Sequence, residues 1–491
     1  KLNKKSSIQF ITRLPIVKRI IDKKLDKIEK DLKHDLLKVY RNEEFIGCLP
    51  DKGLNPEVLL KKNQHYQRFD TVSWQQGRIS GAIYADNHQR YKGVLLSIFS
   101  SHMWSNPLHS DVFASIRKME AEIIRMVCTM YEANVETATG SVTSGGTESI
   151  ILACKTYRDY AINVNNLKGR PEIVAPVTAH AAFEKAANLL HCKFVPVPVD
   201  LKTLKVDLAA MKRAITSKTC MLVVSAPQFP HGIIDPITQV SKIALHHNIP
   251  LHVDACLGGF LLPFMEEAGF RLDESFNFTV PGVTSISVDT HKYGFAPKGT
   301  SVVMYRHEKF IHQQYSVQTD WPGGIYASPT LPGSRPGALI ATCWAALMFH
   351  GKEGYVKSTQ RIISTSYFIR DELRKIKGIQ VMGNPVMSVV SFKSDEFDIF
   401  LLNEKLKELG WNLNVLQFPS SIHLCVTLMH TSNNTAQSFI RDVNRYVSEL
   451  LNGPKTKPSG AAAVYGMSQT IPDRSLVARI AHKYLDGCYG R

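Results

Sequence analysis

The chain has 491 residues, of which 44% are hydrophobic and 21% charged, as expected for a globular protein with two or three subdomains rather than a disordered or fibrous one. Its formal net charge is +16, but residues 1–41 contribute half of that excess. The remainder has no dense basic run or RNA-binding signature, which argues against a nucleic-acid-binding protein. The nine cysteines form no CxxC pair, so neither a disulfide framework nor a metal site is predicted.

The first 41 residues predict a basic amphipathic helix. They contain 13 Lys and Arg against 5 Asp and Glu, and apolar residues recur at helical spacing from Pro15 to Val39. No stretch reaches the roughly 18 consecutive apolar residues of a membrane-spanning helix. The helix can lie beside an anionic membrane surface or pack on its own domain or a partner subunit, and both interpretations stay open. Because the chain begins with Lys1 rather than Met, we interpret it as a fragment that follows a missing membrane anchor.

Residues 42–113 predict an irregular N-terminal segment. They are rich in Gly, Ser, Asn, Pro, His and aromatic residues, and their periodicity is weak. Tyr84 and His109 lie in this segment, close to Gly and Pro residues. On composition alone, both are ordinary loop residues.

Residues 114–353 alternate between predicted strands and helices, which is typical of a doubly wound α/β domain with a mostly parallel sheet. Ligands of such sheets bind beyond the carboxyl ends of the strands. His180, Asp254 and Lys292 each follow a predicted strand, so one crevice can hold all three. The predicted strands are Glu172–Ala175, Lys193–Val199, Met221–Ser225, Leu251–Val253, Thr284–Val288 and Ser301–Tyr305.

Three further features are predicted within and after this domain. Asp235 and Pro236 predict a helix start, with the Asp as N-cap and the Pro at the first helical position. Residues 320–337 form a Gly- and Pro-rich loop that is too long for an ordinary connection. Residues 354–491 predict a smaller C-terminal α+β domain, which begins with a long helix from Gly354 to Lys377.

Three stretches together predict a site for pyridoxal 5'-phosphate (PLP). Lys292 follows a buried strand, where an amine can lose its proton and form a Schiff base with an aldehyde. Asp254 can pair with a pyridine nitrogen and keep it protonated, and Gly146 and Thr147 open a helix whose free N–H groups can bind a phosphate. His180 can lie over the ring. Each signal is weak alone, since helix caps and surface His or Lys residues are common, but their order along an α/β pattern favours PLP.

These stretches resemble fold-type I PLP enzymes of the group II decarboxylase-like branch, and within it the sphingosine-1-phosphate lyases. The likeness spans roughly residues 40–490, and the basic segment is similar to the one that follows the membrane anchor of eukaryotic members. The motifs that carry the resemblance are Asn106–Phe113, Thr143–Ser149, Pro227–Gly232, His252–Gly259, Asp289–Gly294 and Thr319–Gly337.

The resemblance implies a retro-aldol cleavage of phosphorylated long-chain bases to a long-chain aldehyde and phosphoethanolamine. It implies that Lys292 binds PLP covalently and that His291 lies in the cofactor site beside it. It also implies an obligate homodimer with shared active sites, in which Ser334 crosses to the cofactor phosphate of the neighbouring subunit. The implied location is the endoplasmic reticulum membrane, with the catalytic domain facing the cytosol.

The resemblance further places Tyr84, His109 and Lys298 at the substrate phosphate. From its position alone, Lys298 is better explained as a solvated loop residue. The base that takes the proton from the C3 hydroxyl stays open between Lys292, His180, a nearby Tyr and the cofactor phosphate.

Two other functions are weighed against the lyase. One is a PLP-dependent amino-acid decarboxylase, which would need a carboxylate clamp instead of a phosphate clamp. The other is a membrane-bound scaffold without activity, against which the presence of Lys292, Asp254 and the Gly146-Thr147 pair argues.

Overall fold

The computed structural model describes residues 37–453, apart from 71, 73 and 87, and residues 474–489, together with the isolated positions 23, 30, 31 and 34. Most of the predicted basic helix in residues 1–41 therefore lies outside the described residues. None of the helices in the described part of the chain has the length and apolar character that crossing a bilayer requires.

The α-helices of the described chain are α1 (Pro56–Tyr66), α2 (Gln89–His102), α3 (Ala114–Met130), α4 (Gly146–Asn163), α5 (Ala182–Leu189), α6 (Leu208–Ala214), α7 (Ile237–His246), α8 (Glu308–Gln314), α9 (Gly337–Lys375), α10 (Ile399–Glu408), α11 (Thr435–Asn452) and α12 (Arg474–Cys488). The strands are β1 (Thr139–Thr143), β2 (Glu172–Pro176), β3 (Lys193–Val197), β4 (Thr219–Ser225), β5 (Leu251–Asp254), β6 (Val283–Val288), β7 (Ser301–Tyr305), β8 (Ser316–Gln318), β9 (Tyr326–Ser328), β10 (Gln380–Val381), β11 (Val389–Lys393), β12 (Asn414–Leu416) and β13 (Ser421–Cys425).

The large domain is built on a seven-stranded sheet with the strand order β1-β7-β6-β5-β4-β2-β3. Strands β2 to β6 run parallel, and β7 is antiparallel to both β1 and β6. The central strands are almost entirely buried, as expected where helices cover both faces of a parallel sheet. The predicted mostly parallel α/β domain is therefore confirmed, and the carboxyl ends of β2, β5 and β6 share one edge.

The small domain contains an antiparallel sheet with the order β10-β11-β13-β12; α10 packs against this sheet, and α11 packs against α10 and α9. Helix α9 joins the two domains and is interrupted at Gly351, whose φ of 56° and ψ of 180° are not helical. The kink therefore lies just before Gly354, where the predicted long helix of the small domain begins.

Several predicted details are wrong. Residues 42–113 are not irregular throughout, because α1 and α2 lie within them; the Asn55 side chain caps α1 and Pro56 occupies its first position. The predicted loop of residues 320–337 contains β9, which pairs with β8.

Asp235 is not a helix cap, contrary to the sequence-based prediction. Its buried carboxylate accepts hydrogen bonds from the backbone N–H groups of Ser225 (2.9 Å) and Val206 (3.1 Å), and Pro236 is the N-cap. The carboxylate therefore ties the end of β4 to the segment before α6.

Candidate active site

Lys292 lies in a tight turn directly after β6 and forms an ion pair with Asp289. Its Nζ is 2.9 Å from Asp289 Oδ2, and the Asp289 side chain is only 2% exposed. Burial lowers the pKa of Lys292, but the Asp289 carboxylate and, after it, Tyr84 and Cys256 together outweigh burial and raise the pKa above its ordinary value. The buried Lys292 amine is therefore stabilised by its ion pair with Asp289 and not by loss of its proton.

Hydrogen bonds from distant elements hold this turn. The Tyr91 hydroxyl in α2 donates to Phe295 O (2.7 Å), and the Tyr355 hydroxyl in α9 donates to Gly294 O (2.9 Å). Phe295 has a φ of 59°, a left-handed conformation that a bulky residue adopts only where its surroundings enforce it. The position of Lys292 is therefore fixed by the tertiary structure as well as by β6.

The start of α4 forms a cradle close to Lys292. A Cβ atom at Gly146 would lie 2.8 and 2.9 Å from the Asp289 carboxylate oxygens and 2.9 Å from Cys256 Sγ, so only Gly fits. The first N–H groups of a helix have no helical acceptor, and the Thr147 side chain is exposed beside them. The His291 Nδ1 bonds Thr300 O, which holds this ring on the turn that faces the cradle. This arrangement can bind a phosphate.

Glu148 is a residue of the cradle that sequence reasoning missed. Its Oε2 accepts from Ser144 N (2.7 Å) and its Oε1 accepts from Leu331 N (3.1 Å), and the side chain is buried. One carboxylate thus connects the cradle to the loop that carries Ser334. The position of Glu148 three residues after the helix N-cap was the available signal, since Glu often bonds backwards from there.

Asp254 and His180 occupy the same sheet edge. Asp254 ends β5, and its Oδ1 accepts a hydrogen bond from Cys256 N (3.0 Å). His180 follows β2; its ring is exposed and its Nδ1 accepts from Ala182 N (3.1 Å). Both residues therefore lie at the carboxyl ends of parallel strands, on the sheet edge where Lys292 follows β6.

Tyr84, Lys298, His291 and Lys292 line one cavity of about 840 Å³. Lys298 Nζ lies 4.7 Å from the centre of the Tyr84 ring. Burial, followed by the positive charge of Lys292, lowers the pKa of Lys298. Burial raises the pKa of Tyr84, so its phenol is a neutral hydrogen-bond donor. Tyr84 is buried, and is not the ordinary loop residue that its composition suggested.

The small domain positions Tyr84. Gly81 N donates to Cys425 O (2.9 Å) in β13, and Cys425 N donates to Ser80 Oγ (2.8 Å). The Tyr84 ring packs edge-on against Tyr293, with 4.8 Å between ring centres. These contacts join the N-terminal segment, the small domain and the Lys292 turn at the cavity wall.

His109 and Ser334 are not among the described residues that line this cavity. Ser334 Oγ accepts from Asn106 Nδ2 (3.0 Å), and Asn106 Oδ1 accepts from Arg335 N (3.1 Å). His109 lies in the turn that begins at Asn106, where its N–H donates to Asn106 O (3.1 Å), and its side chain is exposed. Asn106 therefore holds His109 and Ser334 together as a second group.

The residues at the sheet edge fit PLP. They offer an amine, a carboxylate for the ring nitrogen, an exposed imidazole and a cradle that excludes any Cβ. The carboxylate oxygen Asp289 Oδ1 is buried without a hydrogen-bond partner, in keeping with a place that a bound group completes. Within the described ranges, no group of three or more His, Cys, Asp or Glu side chains is arranged to hold a metal ion.

Comparisons with known proteins agree with this chemistry. Residues 73–395 match the family described as the pyridoxal-dependent decarboxylase conserved domain. The chain is 48% identical over 486 residues to sphingosine-1-phosphate lyase 1 of Rattus norvegicus, covering 99% of this chain and 84% of the rat protein. The structure of the sphingosine-1-phosphate lyase of Burkholderia pseudomallei is 36% identical with a TM-score of 0.81, covering 87% of this chain and 97% of that one.

A glutamate decarboxylase of Lactobacillus brevis has a TM-score of 0.72 at 16% identity, covering 86% of this chain and 99% of that one. That degree of identity supports the shared fold alone. The similarity in sequence therefore favours the lyases over the decarboxylases, although both have the same architecture.

Proposed function

Because the chain belongs to the sphingosine-1-phosphate lyase family, within the pyridoxal-dependent decarboxylases, we propose that it cleaves phosphorylated sphingoid bases between C2 and C3. The products are a long-chain aldehyde and phosphoethanolamine. The protein is thus a PLP-dependent carbon–carbon lyase, and bound PLP supplies the electron sink for the electron pair of the breaking bond.

The residues at the sheet edge would hold the cofactor. Lys292 binds its aldehyde carbon covalently, and Asp254 pairs with the ring nitrogen. Gly146 and Thr147 bind the phosphate, and His180 and His291 complete the site.

The observation that carries the phosphate-specific function is the pair of Lys298 and Tyr84 in the Lys292 cavity. A cation and a neutral phenol donor at one wall suit a phosphate dianion, which gains charge-assisted hydrogen bonds there. The raised pKa of Tyr84 makes its phenolate an unfavourable resting base for the C3 hydroxyl proton. Lys292, His180 and the cofactor phosphate stay as candidates for that base.

Product analysis tests the function directly. The PLP-loaded protein is incubated with dihydrosphingosine 1-phosphate and, in a separate reaction, with amino acids, and aldehyde, phosphoethanolamine and carbon dioxide are each measured. We expect equal amounts of aldehyde and phosphoethanolamine. Release of carbon dioxide from amino acids without any aldehyde would instead support the decarboxylase alternative.

We further propose a homodimer in which Ser334 and His109 of each subunit enter the partner's active site. The support is that Asn106 ties both residues together within a chain, while neither lines that chain's own Lys292 cavity. The completed site would then contain Lys292, Tyr84 and Lys298 from one subunit, with the cofactor phosphate bound by Ser334 and the substrate phosphate by His109 of the other.

The proposed location is the endoplasmic reticulum membrane, with the catalytic domain facing the cytosol and a membrane anchor preceding the basic segment. The support is the charge excess of residues 1–41 and the exposed side chains of Phe45, Ile46 and Leu49 just after it. Cosedimentation of this chain with anionic and with neutral vesicles tests the basic segment, and equal binding to both would contradict its role.

A further inference from the structure

The register between β5 and β6 contains a one-residue irregularity just before the site. Leu251 lies opposite Val283, whereas His252 lies opposite Ser285, so Thr284 is an extra residue in β6. From there the pairing is regular, and Asp254 lies opposite Ser287. Because neighbouring residues of a strand face opposite sides, a slip of one residue would change which side chains share a face with Asp254.

Side chains hold this bulge in place. The Thr284 hydroxyl accepts from Leu251 N and donates to Leu251 O, at 3.1 Å each. The Tyr157 hydroxyl in α4 lies 2.7 Å from the Thr284 hydroxyl. The groups that the extra residue would otherwise leave unpaired are thereby satisfied, and the bulge is fixed against α4.

His252 connects the two strands directly after the bulge. Its Nδ1 lies 2.7 Å from Ser285 Oγ and its Nε2 lies 3.1 Å from Ser287 Oγ, so both ring nitrogens are bonded to the neighbouring strand. The side chain is fully buried, and burial lowers its pKa to about 4. The ring is therefore neutral near pH 7, with one nitrogen donating a hydrogen bond and the other accepting one.

The same network continues to the groups that face the cofactor. Ser287 Oγ lies 3.2 Å from Cys256 Sγ, and Cys256 N donates to Asp254 Oδ1 at 3.0 Å. Cys256 Sγ is also an atom that a Cβ at Gly146 would meet at 2.9 Å. The network thus contacts both the proposed partner of the ring nitrogen and the phosphate cradle.

We propose that His252 is a positioning residue that sets where Asp254 lies relative to Lys292 and Gly146, and so determines how tightly PLP binds and how its ring nitrogen is protonated. The inference rests on the proposed cofactor roles of these residues. It assigns His252 no contact with substrate. An apolar side chain of similar size would fill the same space but would remove the imidazole hydrogen bond of each serine hydroxyl.

The test compares His252→Gln with Ser287→Ala and with a matched control, His430→Gln. His430 is another fully buried imidazole; its Nδ1 accepts from Thr427 N (2.9 Å) in the small domain. The dissociation constant of PLP is measured by titrating the apoprotein, and the absorbance of the bound cofactor is followed against pH. Thermal unfolding of each apoprotein reports the structural cost separately.

For His252→Gln we expect PLP binding to weaken about tenfold or more, because a Gln side chain cannot bond both serines, and the pH dependence of cofactor absorbance to shift. Ser287→Ala should change both quantities in the same direction by less. His430→Gln should lower stability and leave both unchanged.

A PLP affinity and absorbance for His252→Gln equal to those of the wild type would overturn the proposal. If His252→Gln does not fold, Ser287→Ala is the test instead. Unchanged cofactor binding in Ser287→Ala would likewise overturn the proposal. The PLP titration needs no lyase substrate. Its result is therefore valid even if the proposed cleavage reaction is not observed.

Discussion

The turn that carries Lys292 and the loop that carries Ser334 differ in the elements to which they are hydrogen-bonded. The Lys292 turn receives hydrogen bonds from α2 and α9 and forms one wall of the cavity with Tyr84 and Lys298. The Ser334 loop is bonded instead to Asn106, and next to it the Arg335 guanidinium pairs with Glu120 in α3. One group of residues thus lines the cavity within the chain, whereas Ser334 lies outside that cavity, where we propose that it serves the partner's site.

Glu148 links the Ser334 loop to the phosphate cradle beside Lys292. Its carboxylate bonds the phosphate cradle on one side and the backbone of Leu331 on the other. A loop that is fixed at both ends on its own subunit is preorganised, which lowers the entropy cost of contributing to a second site. The Ser334 loop is therefore held rigidly on its own subunit, which is what the proposed contribution to a neighbouring site requires.

The largest effect is expected for Lys292→Ala. Without the amine, turnover and the borohydride-reducible bond between protein and cofactor should both fall below detection, because no other amine is fixed at that position. The matched control is Lys298→Ala, which should keep the reducible bond. Mass spectrometry after reduction checks both, and a reducible cofactor bond in Lys292→Ala would contradict the assignment.

Mixing two inactive chains tests directly whether each active site is shared between two subunits. Lys292→Ala is combined with Ser334→Glu, whose carboxylate would repel the phosphate it is proposed to bind. Random exchange makes half of the dimers mixed, each with one intact site, so roughly a quarter of wild-type activity should return. Replacing Ser334→Glu by His109→Ala in the mixture should give a similar recovery.

By contrast, His109→Ala mixed with Ser334→Glu should recover nothing beyond the separate chains, since both residues are proposed to enter the same partner site. Failure of Lys292→Ala with Ser334→Glu to recover activity in verified mixed dimers would place Ser334 in its own subunit's site. The two mixtures together therefore distinguish an active site built from two subunits from one built within a single subunit.

Smaller losses are expected at the cavity wall. Lys298→Ala and Tyr84→Phe each remove one charge-assisted contact to a phosphate, worth about 1.5–3 kcal/mol, or roughly a 10- to 150-fold loss in kcat/KM, while PLP stays bound. Lys298→Ala should also lose its preference for phosphorylated over unphosphorylated substrate.

Lys309→Ala is the control for these variants, because Lys309 also lies over an aromatic ring, 5.1 Å from the centre of Phe310, but does not line the cavity. Steady-state kinetics with both substrates checks the set. Wild-type kinetics in Lys298→Ala and Tyr84→Phe, with unchanged inhibition by free phosphate, would show that this wall does not bind the substrate phosphate.

The sequence by itself determined the order of the sheet-edge residues. Buried apolar runs predicted the parallel strands, and the carboxyl ends of such strands share an edge, so His180, Asp254 and Lys292 had to lie near one another. The Gly-Gly-Thr at the start of a helix likewise predicted the cradle. These are local patterns joined by one topological rule, and the structure has them in those places.

Only the tertiary structure decided which residues complete the site. Tyr84 reaches the cavity because Gly81 bonds Cys425, more than 340 residues away in the chain, and no local pattern encodes that contact. Asp289 became the partner of Lys292 through the shape of a turn that Tyr91 and Tyr355 hold. The register that brings Asp254 into line depends on a bulge at Thr284, which hydrogen bonds between strands select and strand propensity does not.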